Sequence, residues 1–161
     1  MQLYIKQRIF SWTDSYDVYD ETGEPRYEVR AAMFALGHQI HVYDKRAGEH
    51  REEVGYIRQK LLTLMPTFEV VIGGRVVGTI RKEFTLLRPR YHVDYRGWDV
   101  EGDFMGWDYR VTDGRSEIMS ISKELFNWSD TYVLRYHNPA NEIPGLLLVI
   151  AIDAVNCSHN D

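Results

Sequence analysis

The run Leu146-Leu147-Leu148-Val149-Ile150-Ala151-Ile152 has no polar side chain, and Asp153-Ala154-Val155 extends it. Read as a helix, it is apolar on every face. Such a helix must be surrounded by something apolar, either lipid or protein. Asn138-Pro139 offers a start, with Asn as N-cap and Pro at the first position. Asn141 is an alternative cap, with Pro144 still inside the first turn. Length separates lipid from protein. The apolar stretch from Ile143 to Val155 already holds Asp153 and falls short of the ~20 residues a bilayer crossing needs. The segment after it, Cys157-Ser158-His159-Asn160-Asp161, has no basic cluster to anchor a membrane end. The run is therefore expected to be a helix enclosed by the rest of its own chain.

The rest of the chain reads as strands. Tyr16 to Asp20 runs into the turn Glu21-Thr22-Gly23-Glu24-Pro25 and returns as Arg26 to Arg30. Gln39 to Asp44 returns, past Ala47-Gly48, as Val54 to Lys60. Phe68 to Ile72 meets Gly73-Gly74 and returns as Val76 to Arg81; a Gly-Gly link suits a tight hairpin because glycine accepts positive φ. From Arg90 to Arg96, Tyr91, Val93 and Tyr95 share one face, while Arg90, His92, Asp94 and Arg96 share the other. Trp98 and Val100, then Trp107, Tyr109 and Val111, continue the period of two. That is an antiparallel sheet with one dry and one wet face. Ile118 to Ser122 and Tyr132 to His137 complete the series. Val18-Tyr19-Asp20, Val42-Tyr43-Asp44 and Val111-Thr112-Asp113 each place Asp before a turn, where its carboxylate can bond the turn backbone. Eleven Tyr and four Trp favour strands, where flat side chains pack well. About a dozen strands in a single domain spanning 1–161 imply closure, which removes exposed edges. The expected fold is mainly β, an about twelve-stranded antiparallel closed barrel enclosing an apolar C-terminal α-helix.

Tyr16-Asp17-Val18-Tyr19-Asp20 with Gly23, Val42-Tyr43-Asp44 with Gly48, Phe68-Glu69-Val70 and the closing Leu146 to Asp153 helix together resemble the LURP-one-related family, including its bacterial YxjI-type members. The resemblance covers essentially the whole chain and rests on pattern and order. It implies the tubby C-terminal-like fold. Relatives by fold include the tubby proteins, which bind phosphoinositides at the membrane, and phospholipid scramblases, whose apolar C-terminal segment fits within the barrel. Fold alone does not carry function across.

Composition narrows the chemistry. A net charge of −5 disfavours a nucleic-acid partner, which needs a basic footprint. The single Cys157 allows neither an internal disulfide nor a cysteine-rich zinc site. The N-terminus has Lys6 and Arg8 and no long apolar run, so it does not read as a secretory signal. These features point to a reduced, cytoplasmic setting. His38 and His41, three apart on a strand, point to opposite sides and cannot chelate together. His50, Glu49 and Glu52 lie in or beside a solvated turn. Asp94, Asp99, Glu101, Asp103 and Asp108 crowd one region, but alternation puts several of them on a wet sheet face. There is no Gly-x-Ser-x-Gly and no Gly-Lys-Ser/Thr phosphate loop. No catalytic residue, metal ligand or cofactor site is assigned.

A cluster of basic residues invites a functional reading. Arg75, Arg81, Lys82, Arg88, Arg90 and Arg96 fall within a short stretch opposed only by Glu83 and Asp94. Arg88, Arg90 and Arg96 share a strand face if alternation holds through Pro89, with Arg81 beside them across a hairpin. Guanidinium groups on adjacent strands can fork onto phosphate oxygens. The bland alternative is a solvated face with these arginines paired to Asp94, Asp99 or Glu101. The expectation is a non-enzymatic binding module, peripheral at the membrane, that engages anionic phospholipid headgroups or another phosphate-bearing partner through Arg81, Lys82, Arg88, Arg90 and Arg96. Two other classes compete with it. One is a protein-interaction domain using Trp12, Trp98 and Trp128. The other is a small-molecule carrier or enzyme at the barrel mouth, weakened because a helix-filled barrel leaves little room for a ligand.

Overall fold

A computed structural model describes residues 1–6, 15–34, 37–83, 90–103, 108–126 and 129–158. Twelve strands occur in chain order: β1 (Gln2–Ile5), β2 (Ser15–Tyr19), β3 (Pro25–Phe34), β4 (Gly37–Asp44), β5 (Glu52–Gln59), β6 (Thr67–Ile72), β7 (Arg75–Glu83), β8 (Arg90–Tyr95), β9 (Asp99–Asp103), β10 (Asp108–Thr112), β11 (Glu117–Phe126) and β12 (Ser129–Tyr136). A short 3₁₀ turn, Pro139–Asn141, leads into α1 (Glu142–Cys157).

The strands form one sheet in the order β8-β7-β6-β5-β4-β3-β2-β1-β12-β11-β10-β9. Every bonded pair is antiparallel. Each neighbour is also a neighbour in sequence, apart from β1 and β12, where Leu3 meets Leu134 and joins the two ends of the chain. The sheet edges are β8 and β9, which follow each other directly in the chain, so the nearly closed barrel has its seam there rather than at the termini.

Alternation fills the interior. Across the sheet, Val18 pairs with Tyr27, Val29 with Val42, Ile40 with Ile57, Ile57 with Val70, Phe68 with Ile80 and Tyr109 with Ile121. All of these side chains are buried, and they form one cluster with Leu146 to Ile152 of α1. Seven consecutive buried helix residues span nearly two turns, so α1 is enclosed on all sides, as its uniform apolarity requires. At roughly 1.5 Å per residue its sixteen residues measure about 24 Å. Among the described residues no helix is long and apolar enough to cross a membrane. Gly55 makes the fit possible, because a Cβ there would stand 2.7 Å from Leu147 Cδ1 and 2.9 Å from the Val71 carbonyl oxygen.

Both expected helix starts are used, in series. Asn138 Oδ1 accepts from Ala140 N at 2.9 Å and caps the 3₁₀ turn. Asn141 then occupies the N-cap position of α1 without a side-chain bond. The repeated Val-Tyr/Thr-Asp segments also share a cause. The sheet register shifts between Val18 and Tyr19, between Val42 and Tyr43, and between Val111 and Thr112. The following Asp then holds the turn. Asp20 Oδ1 accepts from Thr22 N (2.9 Å) and Glu24 N (3.1 Å). Asp44 Oδ1 accepts from Arg46 N (2.8 Å). Asp113 Oδ1 accepts from Arg115 N (3.0 Å) and Ser116 N (3.1 Å). Each unit is a bulge that adds twist, followed by an Asx turn that reverses the chain.

Candidate functional site

The hairpin registers decide which cations meet. Arg81 of β7 faces Thr67 of β6 on one side and His92 of β8 on the other. Lys82 faces Tyr91, and Glu83 faces Arg90. Lys82 N also donates to the Pro66 carbonyl at 3.1 Å, which draws the β5–β6 loop over this end of β7. The open space beside them is a groove of about 640 Å³, whose charged and titratable lining residues are Lys60, Arg81, Lys82, Glu83 and His92, with Leu64 and Met65 as its apolar wall.

The charges in this groove differ from their neighbours. Arg58 donates to Glu69 at 2.7 Å, and Lys60 lies 3.7 Å from the same carboxylate. Among the described residues neither Arg81 nor Lys82 takes part in an ion pair. Arg81 is exposed and Lys82 half-buried. Two cations at a concave surface, without an ion pair among the described residues, can take an anion at little cost in broken contacts, with the Glu83 carboxylate as the opposing charge in the same lining.

The sequence-expected residues are only partly brought together. Arg81 and Lys82 line the groove. Arg90 adjoins it through its backbone pairing with Glu83, and Arg88 lies outside the described residues. Arg96 stands apart, in the turn after β8 at φ 53°, four positions beyond the His92 that faces Arg81, and its guanidinium lies 5.3 Å from the Trp98 ring centroid. Strand alternation ends at that turn, so Arg96 does not extend the same row. Lys60 and His92 belong to the groove and were not singled out from sequence. Their proximity depends on the β5–β6 and β7–β8 registers, which a linear pattern does not fix.

The other candidates resolve into structure. Trp98 is buried and meets the Tyr95 ring edge-on at 5.3 Å; Trp12 and Trp128 lie outside the described residues. His41 Nδ1 is 2.7 Å from Glu53 Oε2, its Nε2 is 3.1 Å from Gln39 Oε1, and its ring stacks on Tyr56. Among the described residues no group of His, Cys, Asp and Glu is arranged to hold a metal. Asp94, Asp99, Glu101, Asp103 and Asp108 are all exposed, the middle three on the edge strand β9.

A second polar cluster escaped the sequence reading. Glu142, in the first turn of α1, is buried. Its Oε1 accepts from Arg26 Nε at 2.5 Å and from the Tyr27 hydroxyl, while Oε2 accepts from the Tyr136 hydroxyl. Burial, reinforced by the Glu142 charge, pushes the Tyr27 phenol up to about 12 and raises Tyr136 as well. With three donors filling one carboxylate, the cluster locks the helix entrance to β3 and β12.

Comparison with known proteins agrees with this architecture. The LURP-one-related family model matches residues 1–153. Protein YxjI of Bacillus subtilis, itself described as uncharacterised, is 28% identical over 161 residues, covering 100% of this chain and 97% of its own. An X-ray structure of a protein from Arabidopsis thaliana superposes with a TM-score of 0.63 at 18% identity, covering 96% of this chain and 90% of that one, which establishes a shared fold. With a barrel of twelve strands wound around its C-terminal helix and a family match over nearly its full length, the chain belongs to the LURP-one-related family.

Proposed function

We propose that this domain is a non-enzymatic binding module for phosphate-bearing groups, foremost the headgroups of anionic phospholipids, acting as a peripheral protein at the cytoplasmic face of a membrane. The observation that carries the reading is the pair Arg81 and Lys82, which line a groove without an ion pair among the described residues. Arg81 supplies a planar fork suited to two phosphate oxygens, and Lys82 supplies a mobile point charge. Lys60 and His92 add donors at the same rim. Arg88, shortly before β8, and Arg90, its first residue, join the proposal through their place in the chain.

Co-sedimentation with vesicles tests it. The wild type is expected to pellet with phosphatidylglycerol-containing vesicles and not with phosphatidylcholine alone. Arg81→Glu/Lys82→Glu is expected to lower that binding tenfold or more (about 1.4 kcal/mol or above). The binding weakens as salt rises, because exposed charges are screened. A wild type that stays in the supernatant at ~0.01 M salt, where the screening length is about 30 Å, removes the bilayer form of the reading.

A further inference from the structure

The loop between β5 and β6 exposes leucines at the surface. Leu62 and Leu64 are fully exposed, at 106% and 103%, and Leu61 is half-exposed at 48% beside Gly37. The loop is nonetheless pinned. Lys60 N donates to the Thr67 carbonyl at 2.8 Å, closing its base, and Thr63 Oγ1 donates to the Lys60 carbonyl at 3.3 Å. Thr67 Oγ1 donates to the Met65 carbonyl at 3.0 Å, and the Lys82 bond to Pro66 fixes the loop on β7. Leu62 holds φ at 62°, the left-handed region that leucine rarely adopts. Such conformations persist where the surrounding structure imposes them, and they concentrate at functional segments.

One apolar tip, Leu64, belongs to the groove wall with Arg81 and Lys82, and Leu62 precedes it by two residues on the same fixed loop. Apolar tip and cationic collar match the two layers of an anionic bilayer surface, acyl chains beneath phosphates. A soluble phosphate would use the cations and leave the leucines in water. A purely apolar protein pocket would take the leucines and strand the cations.

We infer that the β5–β6 loop is an interfacial anchor: Leu62 and Leu64 enter the acyl boundary of an anionic bilayer while Arg81 and Lys82 hold the phosphates above them. The inference rests on the groove reading and adds the apolar half of the contact, insertion of the loop into the acyl layer rather than headgroup binding alone. Membrane-surface elements of this kind combine apolar burial with attraction to anionic lipid.

The test compares the wild type, Leu62→Ser, whose side chain is not part of the groove lining, and Arg81→Glu/Lys82→Glu, each checked for native circular dichroism. Two probes are used: mixed phosphatidylcholine–phosphatidylglycerol vesicles, and soluble glycerophosphoglycerol followed by NMR shift changes. The leucine variant is expected to lose vesicle binding by about tenfold or more, on the transfer free energy of a buried leucine side chain. It keeps the glycerophosphoglycerol shifts at the groove, whereas the charge variant loses both. Vesicle binding that survives intact in the leucine variant overturns the anchor and leaves the groove reading standing. A wild type that binds glycerophosphoglycerol but no vesicle likewise overturns the anchor and spares the groove. A wild type that binds neither overturns both. Self-association that disappears in the leucine variant, without vesicle binding, assigns the loop to a second copy and also overturns the anchor.

Discussion

Leu62 and Gly55 show opposite demands at single residues. Leu62 sits at φ 62° with its side chain in solvent, so the fold gains nothing from leucine there. Leu62→Asn, which tolerates this conformation, is expected to leave stability unchanged or raise it by up to about 1 kcal/mol in urea unfolding. A clear loss would show that the leucine supports the fold. Gly55 is the reverse case. Gly55→Ala would press a methyl against Leu147 and the Val71 backbone, and is expected to destabilise by about 1–3 kcal/mol, as overpacking does. Glu142 is more demanding, since its removal strands Arg26 and two tyrosine hydroxyls in a buried site. Glu142→Ala is expected to cost about 3–5 kcal/mol, with Glu142→Gln milder because it keeps an acceptor and the shape. Equal losses in the two variants would mean that the packing of this side chain, not its hydrogen bonding, matters.

Among the elements, the helix and the strand sequence were legible, and the seam was not. Leu146 to Ile152 could satisfy itself only in an enclosed helix, and the alternation of Tyr91, Val93 and Tyr95 announced a half-wet strand. The Asp before each turn was visible too, although the register shift that precedes it depends on the partner strand. β1 was hidden because Gln2–Ile5 is four residues long with no turn signal, and it takes its place only by pairing with the distant β12. Half of the candidate site was legible as charge, in Arg81 and Lys82. Its apolar part was not, because Leu61 to Met65 reads as more core until the chain is folded. β8 also has a role that alternation did not suggest: its inward tyrosines hold both ends of α1. Tyr95 donates its hydroxyl to the Pro144 carbonyl at 3.0 Å, and Tyr91 donates to Asn156 Oδ1. Tyr95→Phe should cost about 1 kcal/mol by urea unfolding, the net worth of one such bond. An unchanged midpoint would mean that the edge strand is held by packing alone.

The whole molecule solves its edge problem with charge and closure together. β9 carries exposed Asp99, Glu101 and Asp103 along one sheet edge, which discourages a further strand from adding there. The interior, in turn, concentrates phenols. Burial raises Tyr27 and Tyr91 to about 12, and raises Tyr95, Tyr109 and Tyr136 as well. Asp20, Asp44 and Asp113 are depressed, Asp20 by the Thr22 hydroxyl, Asp44 by Arg46 and Asp113 by the Ser116 amide. The two sets bound stability from opposite sides. An unfolded tyrosine loses its proton near pH 10 while the folded one keeps it, so from pH 10 to 12 the unfolded state binds fewer protons and stability falls with rising pH. For the aspartates, the stability present above the ordinary carboxylate range is lost as pH falls through their depressed values. Urea midpoints should therefore be flat through neutrality, decline below about pH 4, and decline more steeply above pH 10 because more groups, wholly or partly buried, act together. Phenolate absorbance near 295 nm should lag behind that of the urea-unfolded chain over the same alkaline range and then rise together with the loss of native circular dichroism. A native-state phenolate amplitude near pH 10 equal to that of all eleven tyrosines in the unfolded chain, with circular dichroism intact, would show that the buried tyrosines reach solvent without unfolding.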